Sequence, residues 1–263
     1  MNQVVPFPPV GISGHGLQLV SSDAGSLWFP VIDEVMRCHI SSSGTWEPDI
    51  GNAILSFMPR TGGVFVDVGA NVGYFSCLVA GRCAGSVVHA FEPHPVTFQV
   101  LRLNSWRYRD QITAWPCALS DELTTISLET AEGNLGDTRG SLAGQVVNAN
   151  VVAPAIMLDE LLPELRADVI KIDVQGAELS VLRGMMGVVR NSAGVKVITE
   201  FGPAMLEEQF IDPLLVLDAL RDLGFKLCLL RSGGPMEAHN VEIMDYCRSA
   251  GRYGQANLLL SVS

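Results

Sequence analysis

The sequence predicts an α/β fold, a doubly wound and mostly parallel sheet with helices on both faces, preceded by an N-terminal extension. Three observations predict it. From residue 63 onward, short apolar runs alternate with amphipathic stretches of helical length. The run Val64-Phe65-Val66-Asp67-Val68 carries an acid near its end and passes into a glycine-punctuated turn, Gly69-Ala70-Asn71-Val72-Gly73. The next run, Ser86 to Phe91, leads into a second acid, Glu92, about twenty residues past that turn, the offset at which a βαβ unit places an acid on a ribose.

Taken in order, residues 1–60 read as a Pro/Gly/Ser-rich extension or lid with short strands at Trp28–Ile32 and Cys38–Ile40. Asp49 to Phe57 reads as a helix, because Ile50, Ile54 and Phe57 share a face. Residues 61–263 make the main domain. Its strands are expected near 63–68, 86–91, 112–116, 168–173 and 195–201, and its helices near 73–83, 95–106, 176–189 and 212–223. Pro95 suits a first helical turn. Leu179, Leu182, Met186 and Val189 recur at helical spacing. An insertion near 122–160 breaks the rhythm: Thr124–Leu128 and Val151–Ile156 read as strands around a polar, glycine-rich loop from Glu132 to Gly144. Late apolar runs at Lys226–Leu230 and Asn257–Val262 flank a loop from Ser232 to Gly254 and suit a hairpin at the sheet's end.

Composition narrows the function. The net charge is −11 and only three lysines occur, which disfavours a nucleic-acid substrate held by phosphate neutralisation. Arg102, Arg107 and Arg109 read as a solvated helix end. No apolar run is long enough for a membrane span, and the first residues lack the basic and apolar regions of a secretory signal. Six cysteines without a C-x-x-C pair point to a reduced, cytoplasmic chain with buried thiols.

The chemistry gathers at strand ends. Gly69 and Gly73 would let the backbone approach a ligand, the amides of the following helical turn would favour a negative group, and Asp67 would face a cation. A zwitterion such as the methionine end of S-adenosylmethionine suits such a turn, with Glu92 on the ribose. The turn is G-x-N-x-G rather than G-x-G-x-x-G, so a nicotinamide-dependent oxidoreductase is the runner-up; a non-catalytic donor-binding module is a third reading. Asp173 ends the strand Val169–Asp173 and is the first candidate for a general base, although it would equally N-cap the next helix. Glu200 ends the following strand and approaches the same cleft or forms a salt bridge. Lys171, between apolar neighbours, needs a partner such as Glu200 or Glu178, and Glu178 itself suits a helix-dipole role. His94 lies in a loop at the ligand edge, as a possible base or donor contact. His89 reads as a core histidine, and the methionines as core filler. Asp173 with Glu200 would suit a hard cation, but no spacing motif demands one, and no metal is assigned.

At this point the chain resembles the FkbM-type methyltransferases. Asp67 to Ser76, Phe91-Glu-Pro-His-Pro95, Ala118-Leu-Ser-Asp121, Leu158-Asp-Glu-Leu161, Ile170 to Glu178 and Thr199-Glu-Phe201 occur in that family's order, with Gly44-Thr-Trp-Glu-Pro48 upstream. The likeness implies a class I methyltransferase (Rossmann-like) fold with a reversed last strand, S-adenosyl-L-methionine as cofactor, and methylation of a hydroxyl on a sugar, polyketide or other natural product. By that likeness Gly69, Asn71 and Gly73 would hold the methionyl end, Glu92 with Pro93 the ribose side, and Leu119, Ser120 and Asp121 the adenine. Asp173 would border the donor, and Trp46 and Glu47 would close over it. The Asp/Asn-Pro-Pro-Tyr motif of amino-group methyltransferases is replaced by Asp173-Val174-Gln175-Gly176, which argues against a nitrogen acceptor. The acceptor should be framed by residues 1–60, 130–150 and 232–254.

Overall fold

The computed structural model describes residues 4–5, 16–131, 134–142 and 151–262. In chain order its elements are β1 (Val4–Val5), β2 (Leu17–Ser22), β3 (Gly25–Pro30), α1 (Glu34–Ser43), α2 (Pro48–Phe57), β4 (Val64–Val68), α3 (Tyr74–Arg82), β5 (Val87–Phe91) and α4 (Pro95–Ser105). Then come β6 (Ile112–Trp115), β7 (Ala118–Leu119), β8 (Thr124–Ala131), β9 (Asn134–Leu142), β10 (Val151–Ile156), α5 (Leu158–Leu161), β11 (Val169–Ile172), α6 (Glu178–Arg183) and α7 (Met186–Asn191). The chain continues through β12 (Lys196–Phe201), α8 (Pro203–Glu208), α9 (Pro213–Asp222), β13 (Phe225–Arg231), β14 (Gly234–Glu237), α10 (Asn240–Ser249) and β15 (Ala256–Val262).

The central sheet runs β14-β13-β15-β12-β11-β4-β5-β6. Strands β4, β5, β6, β11 and β12 pair in parallel, whereas β15 runs antiparallel to both β12 and β13. The expected doubly wound sheet with a reversed last strand is therefore present. Phe65, Val66, Val88, Ala90, Val169, Ile170, Val197 and Leu260 are wholly or almost wholly buried, because helices cover both faces of these strands. All the parallel strands end on one edge, and ligand sites of open α/β sheets lie there.

Several segments depart from the sequence reading. Cys38–Ile40 lies in helix α1, whose start is capped by Asp33 and whose inward face carries Met36 and Ile40. The helix expected at 176–189 is two helices. The chain turns at Gly184, where a Cβ would stand 1.8 Å from the Ser120 carbonyl oxygen, so a side chain is excluded. Part of the expected loop 132–144 is strand β9, paired antiparallel with β8. The 232–254 stretch holds β14 and α10; α10 begins at a capping box in which the His239 amide donates to Glu242 at 2.7 Å. His15 and residues 143–150 lie outside the described residues. No helix among the described residues is long and apolar enough to cross a membrane.

The first hairpin is tied to the main sheet's helices. Asn104 of α4 accepts from the Trp28 amide (2.7 Å) and donates to the carbonyls of Trp28 and Val72 (2.9 Å each). Tyr74, the first residue of α3, is buried; its hydroxyl donates to Asp23 in the β2–β3 turn and accepts from the Trp46 amide at 2.9 Å. These bonds hold the segment that precedes α2 against the edge where β4 ends.

Candidate active site

The turn after β4 is held from beneath by β5. The amides of Gly69 and Ala70 both donate to the Phe91 carbonyl (3.0 and 2.9 Å), the Asn71 amide donates to Glu92 Oε2 (2.8 Å), and the Gly73 amide to the Ala70 carbonyl (2.8 Å). These four amides are therefore engaged within the protein, not left for a carboxylate ligand. The glycines also serve the fold itself. A Cβ on Gly69 would stand 1.9 Å from the Asp173 carbonyl oxygen, and one on Gly73 would stand 2.5 Å from Leu101. Gly69 lines the cavity described below; Gly73 does not.

Asp67 corrects another expectation. It is fully buried, away from the cavity wall, and accepts from the Ser76 hydroxyl at 2.6 Å, so it is itself the negative group at the start of α3. Burial pushes its carboxyl up; the ammonium of Lys171 and the bond from Ser76 pull it back. The cation it faces is thus Lys171, its register neighbour on β11, rather than a ligand amine.

Around the edge lies a cavity of about 700 Å3, within the range of small-ligand and cofactor sites. At one end stands Glu92, buried, with Oε1 accepting from the His94 amide (2.9 Å) and the Thr97 hydroxyl (2.7 Å) and Oε2 from Asn71. A carboxylate has about four lone-pair sites, so the carboxylate is fixed yet retains an acceptor position for a ligand. Burial raises its pKa, and these three bonds resist the rise. Pro93, Leu119 and Ser120 line the same end, with Phe91 stacked on Trp115 behind them (5.9 Å between centroids). Asp121 is not in the lining. The Ser180 hydroxyl binds it at 2.6 Å and turns it to the surface.

At the other end, carboxylates crowd one ammonium. Lys171 Nζ lies 3.1 Å from Asp173 Oδ2 and 5.0 Å from the centre of the Phe75 ring. Its partner is thus Asp173, not Glu200 or Glu178. Burial opposes its charge, but Asp173, Asp67 and Glu47 together hold it above the ordinary lysine value. The Gln175 amide donates to Asp173 Oδ1 (2.9 Å) and to Glu200 Oε2 (3.1 Å), joining the ends of β11 and β12. Burial, then the carboxylates of Asp173, Glu47 and Glu178, push Glu200 up to about 8. Burial and the Asp173 charge likewise raise Glu47. Glu178 opens α6 and binds the Gly176 amide with both oxygens (3.1 and 3.0 Å); burial pushes it up to about 7. Asp173 does not cap that helix, whose first residue is Glu178 and whose N-cap, Ala177, makes no side-chain bond.

The geometry brings Glu47, Gly69, Asn71, Glu92, Pro93, Leu119, Ser120, Asp173 and Glu200 together and leaves out Asp67, Gly73, Asp121 and His94. His94 is buried at the N-cap of α4 with its Nδ1 unpartnered, and burial lowers its pKa. It does not line the cavity that Asp173 and Glu200 share. Sequence reasoning missed Gln175 as the link between the two acids. A glutamine before glycine, directly after a strand-end acid, was the available sign: Gln175 has φ 57° and Gly176 φ 104°. Glu47 (φ 41°) and Asn71 (φ 50°) are also left-handed, so three cavity residues hold an uncommon backbone geometry. Met36, Met205, Tyr253 and Gln255 complete the wall.

Comparison with known proteins places this geometry in context. The family model described as the methyltransferase FkbM domain matches residues 67–227. The 31-O-demethyl-FK506 methyltransferase FkbM of Streptomyces tacrolimicus is 48% identical over 63 residues, covering 24% of each chain. The hexuronic acid methyltransferase AglP of Haloferax volcanii is 30% identical over 129 residues, 49% of this chain and 52% of that protein. The chain thus matches between a quarter and about half the length of these relatives. A candidate rRNA methylase structure from Clostridium thermocellum superposes with a TM-score of 0.50 at 9% identity, covering 83% of this chain and 98% of that one, a likeness of fold.

Proposed function

Because this chain belongs to the FkbM methyltransferase family, we propose that it methylates a hydroxyl oxygen of a small molecule. S-adenosylmethionine is the cofactor of this family. When bound, it supplies a methyl group already activated on a sulfonium, so alignment is the protein's main task.

The residues present fit that cofactor. Asn71 lines the cavity with its Oδ1 buried and unpartnered, ready for a ligand donor. Glu92 offers a fixed acceptor for ribose hydroxyls, with Leu119 and Ser120 beside the base. Glu47 and Asp173, at the other end, suit an ammonium. Trp46, anchored through its amide to Tyr74, helps to cover the cavity. Met205, Tyr253 and Gln255 border the acceptor's side. An alcohol must lose its proton as its oxygen attacks, and Asp173 and Glu200, bridged by Gln175, are the acids placed to accept it.

The observation that carries this reading is one cavity with a fixed acid at its nucleoside end and a carboxylate cluster at the other. Two features favour oxygen over nitrogen. The strand-end sequence is Asp173-Val174-Gln175-Gly176, and the name of the Streptomyces relative places its missing methyl on an oxygen.

Titration calorimetry tests the donor. S-adenosylhomocysteine should bind and NAD should not, and the reverse would overturn the methyltransferase reading. Labelled methyl transfer to a panel of sugars and macrolides then tests the acceptor. An O-methyl product is expected; a methyl found on nitrogen or carbon would remove the oxygen assignment.

A further inference from the structure

Glu200 stands among crowded carboxylates. Four carboxylates, those of Glu47, Asp173, Glu178 and Glu200, gather around β11, β12 and the start of α6, and Lys171 is the cation that faces them among the described residues. Asp173 takes the ion pair with Lys171, Glu178 takes the Gly176 amide on both oxygens, and Glu47 has the Trp46 side chain as its own hydrogen-bond partner. Glu200 accepts one bond, from a Gln175 amide that also serves Asp173. Like charges so close cannot all be ionised together. The group with the weakest support keeps the proton, and Glu200 alone of the four lines both the main cavity and the small void behind it, where Glu178 also faces.

We infer that Glu200 is the base of the transfer, and that it holds a proton which it releases to solvent when the cationic donor binds. The inference rests on S-adenosylmethionine being the donor. The cluster's charge and the donor's then complement each other, and the vacated carboxylate is ready for the acceptor. In the transfer, the acceptor's O–H bond breaks as its oxygen takes the methyl. The proton passes to Glu200, and the electron pair of the old carbon–sulfur bond stays on sulfur. Asp173 remains paired with Lys171 and positions Gln175. The raised pKa of Glu200, about 8, agrees with this order. Donor binding favours the ionised form, so below about pH 8 a proton must leave, and affinity rises about tenfold per pH unit from pH 6 before levelling.

Calorimetry of the full chain at pH 7, in buffers of differing ionisation enthalpy, tests this with S-adenosylmethionine and S-adenosylhomocysteine. The two share the amino-acid end and differ by the sulfonium charge. About one proton should be released per S-adenosylmethionine bound, with clearly less for S-adenosylhomocysteine. Release should vanish in Glu200→Gln and persist in Glu178→Gln. No release with S-adenosylmethionine, equal release with both ligands, or release that survives in Glu200→Gln would overturn the inference. If Glu200→Gln does not fold, the unaltered chain decides: an S-adenosylmethionine affinity that stays flat between pH 6 and 8 rejects it. Failure of both ligands to bind at any pH would reject the donor reading itself, a distinct result.

Discussion

Gly69 shows how a single residue joins fold and site. Its φ of 76° and the 1.9 Å that a Cβ would leave to the Asp173 carbonyl oxygen make it a hinge between the β4 turn and the end of β11. Gly69→Ala should therefore destabilise the protein by about 2 kcal/mol or more, through backbone strain and overpacking. It should also weaken S-adenosylhomocysteine binding by displacing Asp173. Denaturant midpoints and calorimetry on the same sample check both; an unchanged midpoint would show that the turn relaxes freely. The sequence made this glycine visible, but for another reason, a close ligand approach. A second close neighbour is a carbonyl more than a hundred residues along the chain, and no local pattern reports such a contact. The same holds for Asp67. That it ends a buried strand is plain from the apolar run, whereas its pairing with Lys171 and Ser76 arises only when β11 docks beside β4.

At the level of elements, the short segment before α2 depends on the start of α3. Tyr74 binds Asp23, Thr45 and the Trp46 amide through one hydroxyl. Tyr74→Phe removes that junction without changing its shape. It should cost about 0.5–1.5 kcal/mol, because partly exposed partners lose a hydrogen bond, and reduce donor affinity several-fold through a looser Trp46 and Glu47. A variant with reduced stability but unaltered binding would show that this segment does not order the site. The strands and helices of the alternating region were legible because each buries a continuous apolar run or stripe. Strand β9 and helix α10 were not. Asn134–Leu142 is polar and glycine-bearing, and α10 turns only Ile243, Met244 and Cys247 fully inward. Their stability comes from pairing with β8 and from packing on the sheet, neither of which shows as periodicity.

The whole molecule carries an unusual load of buried acid. Asp33 is pushed up to about 6, Glu178 to about 7 and Glu200 to about 8, with burial the leading cause in each. All three fold with a carboxyl pKa above its unfolded value. The native state therefore binds more protons than the unfolded chain between about pH 4 and the folded pKa values, and stability is lost as pH rises through that window. The net charge of −11 acts in the same direction. The thermal midpoint should fall from pH 5.5 to 8.5, and Asp33→Asn, which keeps a capping side chain on α1, should flatten the acid part of the slope. A midpoint that climbs towards alkaline pH would contradict this. The mostly parallel sheet with a reversed last strand could be read ahead, and the strand-end acids pointed to the edge where the cavity lies. The acceptor's identity could not, since Met36, Met205, Tyr253 and Gln255 reach the cavity from three separate stretches. One practical consequence follows from the stitching of the first hairpin. A truncated form begun near residue 60, where composition suggests a natural cut, would strip Asn104 of its Trp28 bonds and Tyr74 of its partners and bare the apolar back of α3. Crystallographers trimming this protein should keep its opening hairpin, because the main sheet's helices lean on it.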